Sequence, residues 1–329
     1  MIDVLISENV QGAAVDALRS RFKVACQPDL WKDAALLEEK VKKCRALIVR
    51  NQTPVTAALI DAAAELMVIG RAGVGLDNVD YKHAEQAGIV VSYTPDQNAI
   101  SVAEIAIGMM LSLARFIPTA DADTKKGNWN RQRYVGTELY GKTLGIVGAG
   151  KIGYLTARRA TAFGMKILAY DPFLSQDNIL LSELQAELVE LDDLLARADV
   201  VSCHLPATSQ TVGLLNRERF FQMKPGALFI NTSRGKVVVE AGLVEALRAG
   251  IVGGAALDVR EKEPPQTGEL EVLPNVILLP HIAAFTREAQ DRVTSAICDD
   301  IARVLDGKAA VNAVKRTMPA RGPMPLVTS

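Results

Sequence analysis

Residues 141–171 read GKTLGIVGAGKIGYLTARRATAFGMKILAYD and constrain the fold more than any other stretch of the chain. Thr143 to Val147 is an apolar run of strand length. Gly148-Ala149-Gly150-Lys151-Ile152-Gly153 follows without a break. An alanine-rich helical segment then runs from Lys151 to about Phe163, with Gly164 as its stop. A second apolar run, Lys166 to Tyr170, ends on Asp171. Strand, glycine turn, helix, strand and acid in that order describe one βαβ unit of a parallel sheet. Glycine turns are common, so the pattern draws its meaning from the flanking strand, helix and acid.

Each position has a physical reason. Gly148 permits the tight turn, Gly150 lets a pyrophosphate approach the backbone, and Gly153 lets the helix pack close to the strand. The helix N-terminus at Lys151 and Ile152 offers unpaired N–H groups and the positive end of a dipole. Asp171 falls 18 residues after Gly153, where the second strand should end. Its carboxylate can accept from both ribose hydroxyls and would repel a 2′-phosphate. Pro172 and Phe173 bring no cation for such a phosphate. The expected cofactor is therefore NAD rather than NADP.

Composition sets the outer limits. A chain of 329 residues with 49% apolar side chains has material for two cores. Lys and Arg number 37 against 38 Asp and Glu, so no basic field invites nucleic acid. No apolar run reaches the roughly 18–20 residues needed to cross a bilayer, and Met1-Ile2-Asp3-Val4 opens directly as a strand rather than as a signal peptide. Cys26, Cys44, Cys203 and Cys298 are scattered with no CxxC. Free buried thiols and a cytoplasmic location are expected, with no metal site, no membrane partner and no nucleic acid.

The periodicity predicts strands at 4–7, 46–49, 68–70 and 89–92, with helices at 13–22, 32–43 and 57–64 between them. Residues 101–116 form a long apolar helix, and 118–140 a polar, irregular arm suited to a subunit interface. Beyond the glycine turn, helices are predicted at 189–196, 242–249 and 286–305, and strands at 199–203, 228–231, 254–258 and 276–279. Strands alternating with helices imply parallel sheets covered on both faces, with ligand-facing loops at the strand ends. The proline-bearing stretch 317–329 reads as a tail.

Arg234, Glu263 and His281 each follow a predicted strand end in the second half, where such ends converge on one crevice. They suit hydride transfer at a carbon that bears a hydroxyl beside a carboxylate. An arginine grips a carboxylate bidentately and polarises the reacting oxygen. A histidine exchanges the hydroxyl proton near neutral pH. Glu263 beside the ring would orient it. Alone, a histidine after Pro280 is better read as a satisfied core residue; its place after a complete nucleotide motif reverses that preference. His204 is expected to border the cofactor, and His83 to sit on an exposed helix.

Together these residues resemble the D-isomer-specific 2-hydroxyacid dehydrogenase family. The resemblance covers about residues 1–315. It rests on the GAGKIG turn with Asp171, HLP at 204–206, NTSRG at 231–235, ALDV at 256–259, EKEPP at 261–265 and PHIAA at 280–284. It implies an α/β fold of two Rossmann-like, doubly wound parallel-sheet domains with a cleft between them. Residues 1–100 plus 286–316 would form a discontinuous substrate-binding domain, and 101–285 the NAD-binding domain. It implies Arg234, Glu263 and His281 as the catalytic set. NAD contacts would come from Gly148, Gly150, Lys151, Ile152, Gly153, Asp171, His204, Leu205, Pro206, Thr211, Thr232, Ser233, Asp258, Ala283 and Ala284. Among these, Asp258 would face the nicotinamide carboxamide.

Within that family the likeness is to the branch that acts on 3-phosphoglycerate. It is carried by GRAGVGLDNVD at 70–80, WNRQRYVGTELYGKTLGIVG at 129–148, and Arg50. It implies that Arg50, Arg71 and Arg131 hold the substrate phosphate, Arg131 from the partner subunit of a homodimer. Gly73, Val74 and Gly75 would cradle the substrate carboxylate. Three arginines fit a dianionic head group better than lactate or glyoxylate. The loops Arg50-Asn51-Gln52 and Ala72-Gly73-Val74 depart in detail from the commoner forms. That keeps another 3-substituted 2-hydroxy acid such as 3-sulfolactate open as substrate. A glyoxylate or hydroxypyruvate reductase and, because fold alone does not fix function, a non-enzymatic NAD-sensing binding protein stand as further alternatives. The longer members of this branch carry C-terminal regulatory domains. The chain ends at Ser329, so serine feedback through such a domain is not expected.

Overall fold

The computed structural model describes residues 2–175 and 178–314. The chain divides into two compact units, Ala99–Thr286 and, around it in sequence, Met1–Asn98 with the chain from Arg287 onward. The expected tail at 317–329 lies outside the described residues.

The first unit runs β1 (Ile2–Ile6), α1 (Ala13–Arg19), β2 (Val24–Cys26), α2 (Ala34–Val41), β3 (Cys44–Val49), α3 (Ala57–Ala62), β4 (Val68–Arg71), α4 (Tyr81–Gln86) and β5 (Val90–Tyr93). Polar residues start three of its helices, α2, α3 and α4, where the first-turn amides lack partners. Asp33, Thr56 and Asp80 accept from the amides of Leu36, Leu59 and His83.

The second unit follows. It opens with α5 (Ala99–Ala114), α6 (Ile117–Lys125), β6 (Thr143–Val147), α7 (Lys151–Thr161), β7 (Lys166–Tyr170), α8 (Ile179–Leu184) and β8 (Glu187–Leu188). It continues through α9 (Leu191–Arg197), β9 (Val200–Cys203), α10 (Arg217–Phe221), β10 (Ala227–Asn231), α11 (Glu240–Arg248), β11 (Val252–Leu257) and β12 (Val276–Leu278). The chain then returns to the first unit as α12 (Arg287–Leu305).

Both sheets are parallel throughout. The first has strand order β2-β1-β3-β4-β5, the second β12-β11-β10-β9-β6-β7-β8. Each order reverses once, between β1 and β3 in the first sheet and between β6 and β9 in the second. In doubly wound sheets such a reversal opens a crevice at the carboxyl ends of the strands. The long apolar α5 lies in the second unit, where Ala106, Met109, Met110 and Leu113 pack with Ile146, Ile230 and Ala256 of the sheet. Among the described residues no single helix is long and apolar enough to cross a membrane.

One segment departs from its expected form. Residues 117–125 of the arm are helical, with Pro118 in the first turn, and 131–134 form a turn of 3₁₀ helix. Neither buries a residue, so no apolar stripe announced them. The four cysteines are free thiols; Cys44, Cys203 and Cys298 are buried, whereas Cys26 is half-buried.

Candidate active site

In the second unit the glycine turn and the loop after β9 meet at the strand-order reversal. The Gly148 amide donates to Tyr170 O at 2.9 Å, and the His204 amide to Val147 O at 2.8 Å. Gly148 has φ +94°, and a Cβ there would press on the backbone of His204 at 3.1 Å. A Cβ on Gly153 would overlap the carbonyl oxygen of Gly148, so helix and turn touch at that point. Gly150 caps α7 without any side-chain hydrogen bond, and a Cβ on it would meet nothing within 4 Å. The first-turn amides, with exposed Lys151 and half-buried Ile152 among them, lie beside open space. The Asp171 carboxylate is fixed at the lip of the turn: Oδ2 accepts from the Ala149 amide and Oδ1 from the Phe173 amide, both at 3.0 Å. An uncapped helix start, an open cradle and an oriented carboxylate form a donor and acceptor set that fits the pyrophosphate and ribose of a dinucleotide.

Beside this turn His204 is held by the Ser202 hydroxyl at Nε2, 2.9 Å, and by the Thr232 hydroxyl at Nδ1, 3.5 Å. Burial pushes its pKa down to about 3, so the ring is neutral at neutral pH. Leu205 is buried and Pro206 exposed. The Thr211 hydroxyl closes the loop by donating to Pro206 O.

Three strand ends deliver the remaining side chains. After β10, the Asn231 side chain shapes the turn: Oδ1 accepts from the amide and hydroxyl of Ser233, at 3.0 and 2.8 Å, and Nδ2 donates to Arg234 O at 3.2 Å. Arg234 leaves this turn half-buried, with Nη1 donating to Ser233 O at 2.8 Å. Gly235 lies so close to the Arg260 carbonyl that any Cβ would overlap it. The Arg234 turn and the Glu263 loop are thereby pressed together.

After β11, Asp258 is 1% exposed. Its oxygens accept from the amides of Ile282 and Ala283 at 2.7 and 2.9 Å, and its carbonyl from the His281 amide at 2.8 Å. Burial pushes the Asp258 carboxyl upward, and the two amides with the nearby His281 oppose it. His281, past the end of β12, has φ +57°, a conformation a non-glycine residue adopts only when its surroundings insist. The Asp258 bonds supply that insistence. The expected contact of Asp258 with a carboxamide is thus joined by a backbone role that the sequence did not disclose. Ala283 is buried and Ala284 half-buried.

Glu263 Oε2 and His281 Nδ1 are 2.7 Å apart, each side chain somewhat over a third exposed. Glu263 Oε1 accepts from the Arg260 amide at 3.0 Å. Burial raises the Glu263 carboxyl, but the bonds to His281 and the Arg260 amide outweigh it, helped by the charges of His281 and Arg234. The net result holds the group below the usual carboxylate range. Arg234, Glu263 and His281 therefore gather at one end of one sheet. The loop that carries Glu263 is anchored by Arg260, whose guanidinium bridges Glu240, at 2.9 and 3.0 Å, and Glu271. The alternating charges of residues 260–263 are visible in the sequence; their distant partners are not.

In the first unit Arg50 follows β3, and Arg71 ends β4. The Arg71 guanidinium lies across Gly73, which has no side chain to displace it. Gly73, Val74 and Gly75 continue the same loop, and the Gly73 carbonyl accepts from the Thr94 amide at 3.0 Å. Arg131 belongs to the second unit, on the exposed 3₁₀ turn of the arm.

Comparison with known proteins agrees with this architecture. Residues 107–283 match the family model described as D-isomer specific 2-hydroxyacid dehydrogenase, NAD binding domain. The chain is 45% identical to a D-3-phosphoglycerate dehydrogenase of Archaeoglobus fulgidus over 313 residues, 94% of this chain and 59% of that protein. It is 41% identical to the enzyme of the same name from Bacillus subtilis, over 95% of this chain and 59% of that one. Among solved structures, the TT0316 protein of Thermus thermophilus superposes with a TM-score of 0.89 at 36% identity, covering 95% of this chain and 100% of that one. A D-lactate dehydrogenase from Aquifex aeolicus, complexed with NAD and lactic acid, gives 0.82 at 30% identity over 92% and 95%. The fold and the second unit define an NAD-binding protein of the doubly wound class. The chain belongs to the D-isomer specific 2-hydroxyacid dehydrogenase family. It spans about three fifths of the length of the curated relatives named above.

Proposed function

We propose that the protein is an NAD-dependent dehydrogenase for a 2-hydroxy acid that carries a second anionic group, with 3-phosphoglycerate and 3-phosphohydroxypyruvate as its substrate pair. The observation that carries the reading is the 2.7 Å contact between Glu263 and His281 within the electrostatic reach of Arg234. With Nδ1 engaged by Glu263, the His281 Nε2 atom is the one that takes the hydroxyl proton in oxidation and returns it to the carbonyl oxygen in reduction. Glu263 fixes the ring's direction through this bond. Arg234 grips the substrate carboxylate and draws electron density from the neighbouring oxygen. When bound, the nicotinamide supplies the carbon that accepts or donates the hydride. Asp171 selects NAD by engaging the ribose hydroxyls.

The second anion is assigned to Arg50 and Arg71, and the carboxylate to the backbone N–H groups of Val74 and Gly75; the Gly73 amide, expected to join them, already donates to Arg71 O at 2.8 Å. Arg131 would add a third cation from the partner subunit of a homodimer. Exposed Trp129, Val135 and Tyr140 on and beside the arm support such self-association. The free cysteines suit a reducing, cytoplasmic setting.

The test is a substrate panel with NAD and NADP, read by absorbance of the reduced nicotinamide. Turnover of 3-phosphoglycerate with NAD, well above that of lactate and glycerate, is expected. A preference for 3-sulfolactate or unphosphorylated hydroxypyruvate would replace the substrate assignment. No rate with any 2-hydroxy or 2-keto acid would sink the enzymatic reading in favour of NAD sensing.

A further inference from the structure

At the strand-order reversal of the first sheet, the loop after β1 meets the loop after β3. Glu8 sits in the former and is 2% exposed. Its Oε1 accepts from the amides of Arg50 and Thr53, at 2.7 and 2.9 Å, and its Oε2 from the amide of Gln52 at 3.1 Å. Asn78 completes the grip from the other side: its Nδ2 donates to the carbonyls of Arg50 and Thr53, at 2.8 and 2.7 Å. The Arg50 guanidinium donates through Nη1 to the carbonyl of Asn9, the residue next to Glu8, at 3.2 Å. Loop 50–53 is thus held by its amides on one carboxylate and by its carbonyls on one carboxamide.

We propose that Glu8 is a positioning residue that sets the Arg50 loop for the anionic head of the substrate, an inference that rests on the substrate class proposed above. Taking a carboxylate out of water costs several kcal/mol unless its lone pairs are filled. Here three convergent amides fill them, a demand that suits an acceptor with no N–H of its own. A Gln at this place would turn an NH₂ toward at least one of those amides. The Glu8 charge also opposes the loss of proton affinity that burial imposes on Arg50. This anchor lies at the point of the first sheet where the strand order reverses and the topology opens a ligand crevice.

The test uses the full chain with 3-phosphohydroxypyruvate, hydroxypyruvate and NADH. Glu8→Gln should lower the preference for the phosphorylated over the unphosphorylated acid, as a ratio of kcat/KM, about tenfold, the loss of one charge-assisted contact. Most of that change should lie in KM for the phosphorylated acid, with KM for NADH moving less than about twofold. In an Arg50→Ala background the same change should add less than about twofold, since Glu8 acts through Arg50. Equal losses on both acids, or losses that multiply with those of Arg50→Ala, would overturn the proposal. Should Glu8→Gln fail to fold, Glu8→Asp keeps the charge but shortens its reach, and the same ratio and cycle decide. A wild-type protein indifferent to the phosphate removes the proposed substrate on that result alone. A wild-type protein that prefers the phosphorylated acid, with Glu8→Gln leaving that preference intact, overturns the role of Glu8 alone.

Discussion

His204 gives the site an acid sensitivity that can be worked out in advance. Its folded pKa is depressed to about 3, whereas an unfolded histidine titrates near 6.5. As pH falls below 6.5 the unfolded chain takes up a proton that the native ring refuses, so stability drains away until the native pKa is reached. Each pH unit inside that window removes about 1.4 kcal/mol. Going from pH 7.5 to pH 5 should therefore remove about 2 kcal/mol, set against the 5–15 kcal/mol typical of a domain. His204→Asn deletes the titration and retains a side chain able to bond the Ser202 hydroxyl. At pH 7.5 the variant should be equal or weaker, through lost packing. By pH 5 the difference between the two proteins should have shifted about 2 kcal/mol in the variant's favour. Urea unfolding of both proteins at several pH values measures this, and the comparison cancels every other titrating group. Curves that run parallel across pH 5–7.5 would refute the reasoning. With three histidines in the chain, the His204 ring can also be followed by NMR, where it should keep its neutral chemical shifts to pH 5.

The other predictions are simpler to state. His281→Asn should cut kcat by roughly 10²–10⁴ while NADH still binds, measured by steady-state rates and cofactor fluorescence; equal loss of NADH binding would mean the ring holds the cofactor instead. Gly235→Ala forces a methyl group into the Arg260 carbonyl, so it should lower stability by about 1–3 kcal/mol and depress kcat together, seen by thermal melting and rates. Asp171→Ala should raise KM for NAD and narrow its advantage over NADP; an unchanged ratio would show that the acid does not read the ribose.

The sequence disclosed most where two signals coincided. Thr143–Val147 and Lys166–Tyr170 were legible residue for residue, because a buried parallel strand is a continuous apolar run and glycines bracket the helix between them. The three-residue β2 shows no fully buried position and left no periodic trace; α4, the helix expected around His83, is a single capped turn and a half, too short for the pattern to mark its bounds. The same limit hid the supports of the site. Glu8, Asn78, Asn231 and Asp258 act by receiving or donating to backbone groups brought near by the fold. A backbone amide has no letter in the sequence. The sequence singled out Arg234, Glu263 and His281 by their order after a nucleotide motif. The 2.7 Å meeting of the last two depends on the left-handed backbone at His281, which no residue type announces.

The manner in which the first sheet is finished bears on how a ribosome must deliver this protein. Val4, Ile6, Ala46, Ile48 and Val68 share a core with Val293, Ile297 and Ile301 of α12, and Gly70 leaves room for Ile297, which a Cβ there would meet at 2.7 Å. All of Ala99–Thr286 must be translated before that helix emerges. At about 5–20 residues per second the oily side of a nascent parallel sheet stays uncovered for on the order of ten to forty seconds. The contiguous middle of the polypeptide can fold while it waits, but its opening segment cannot. That interval is when holdase chaperones should find it, and a message truncated before codon 287 should yield aggregate rather than a soluble protein lacking only its last helix.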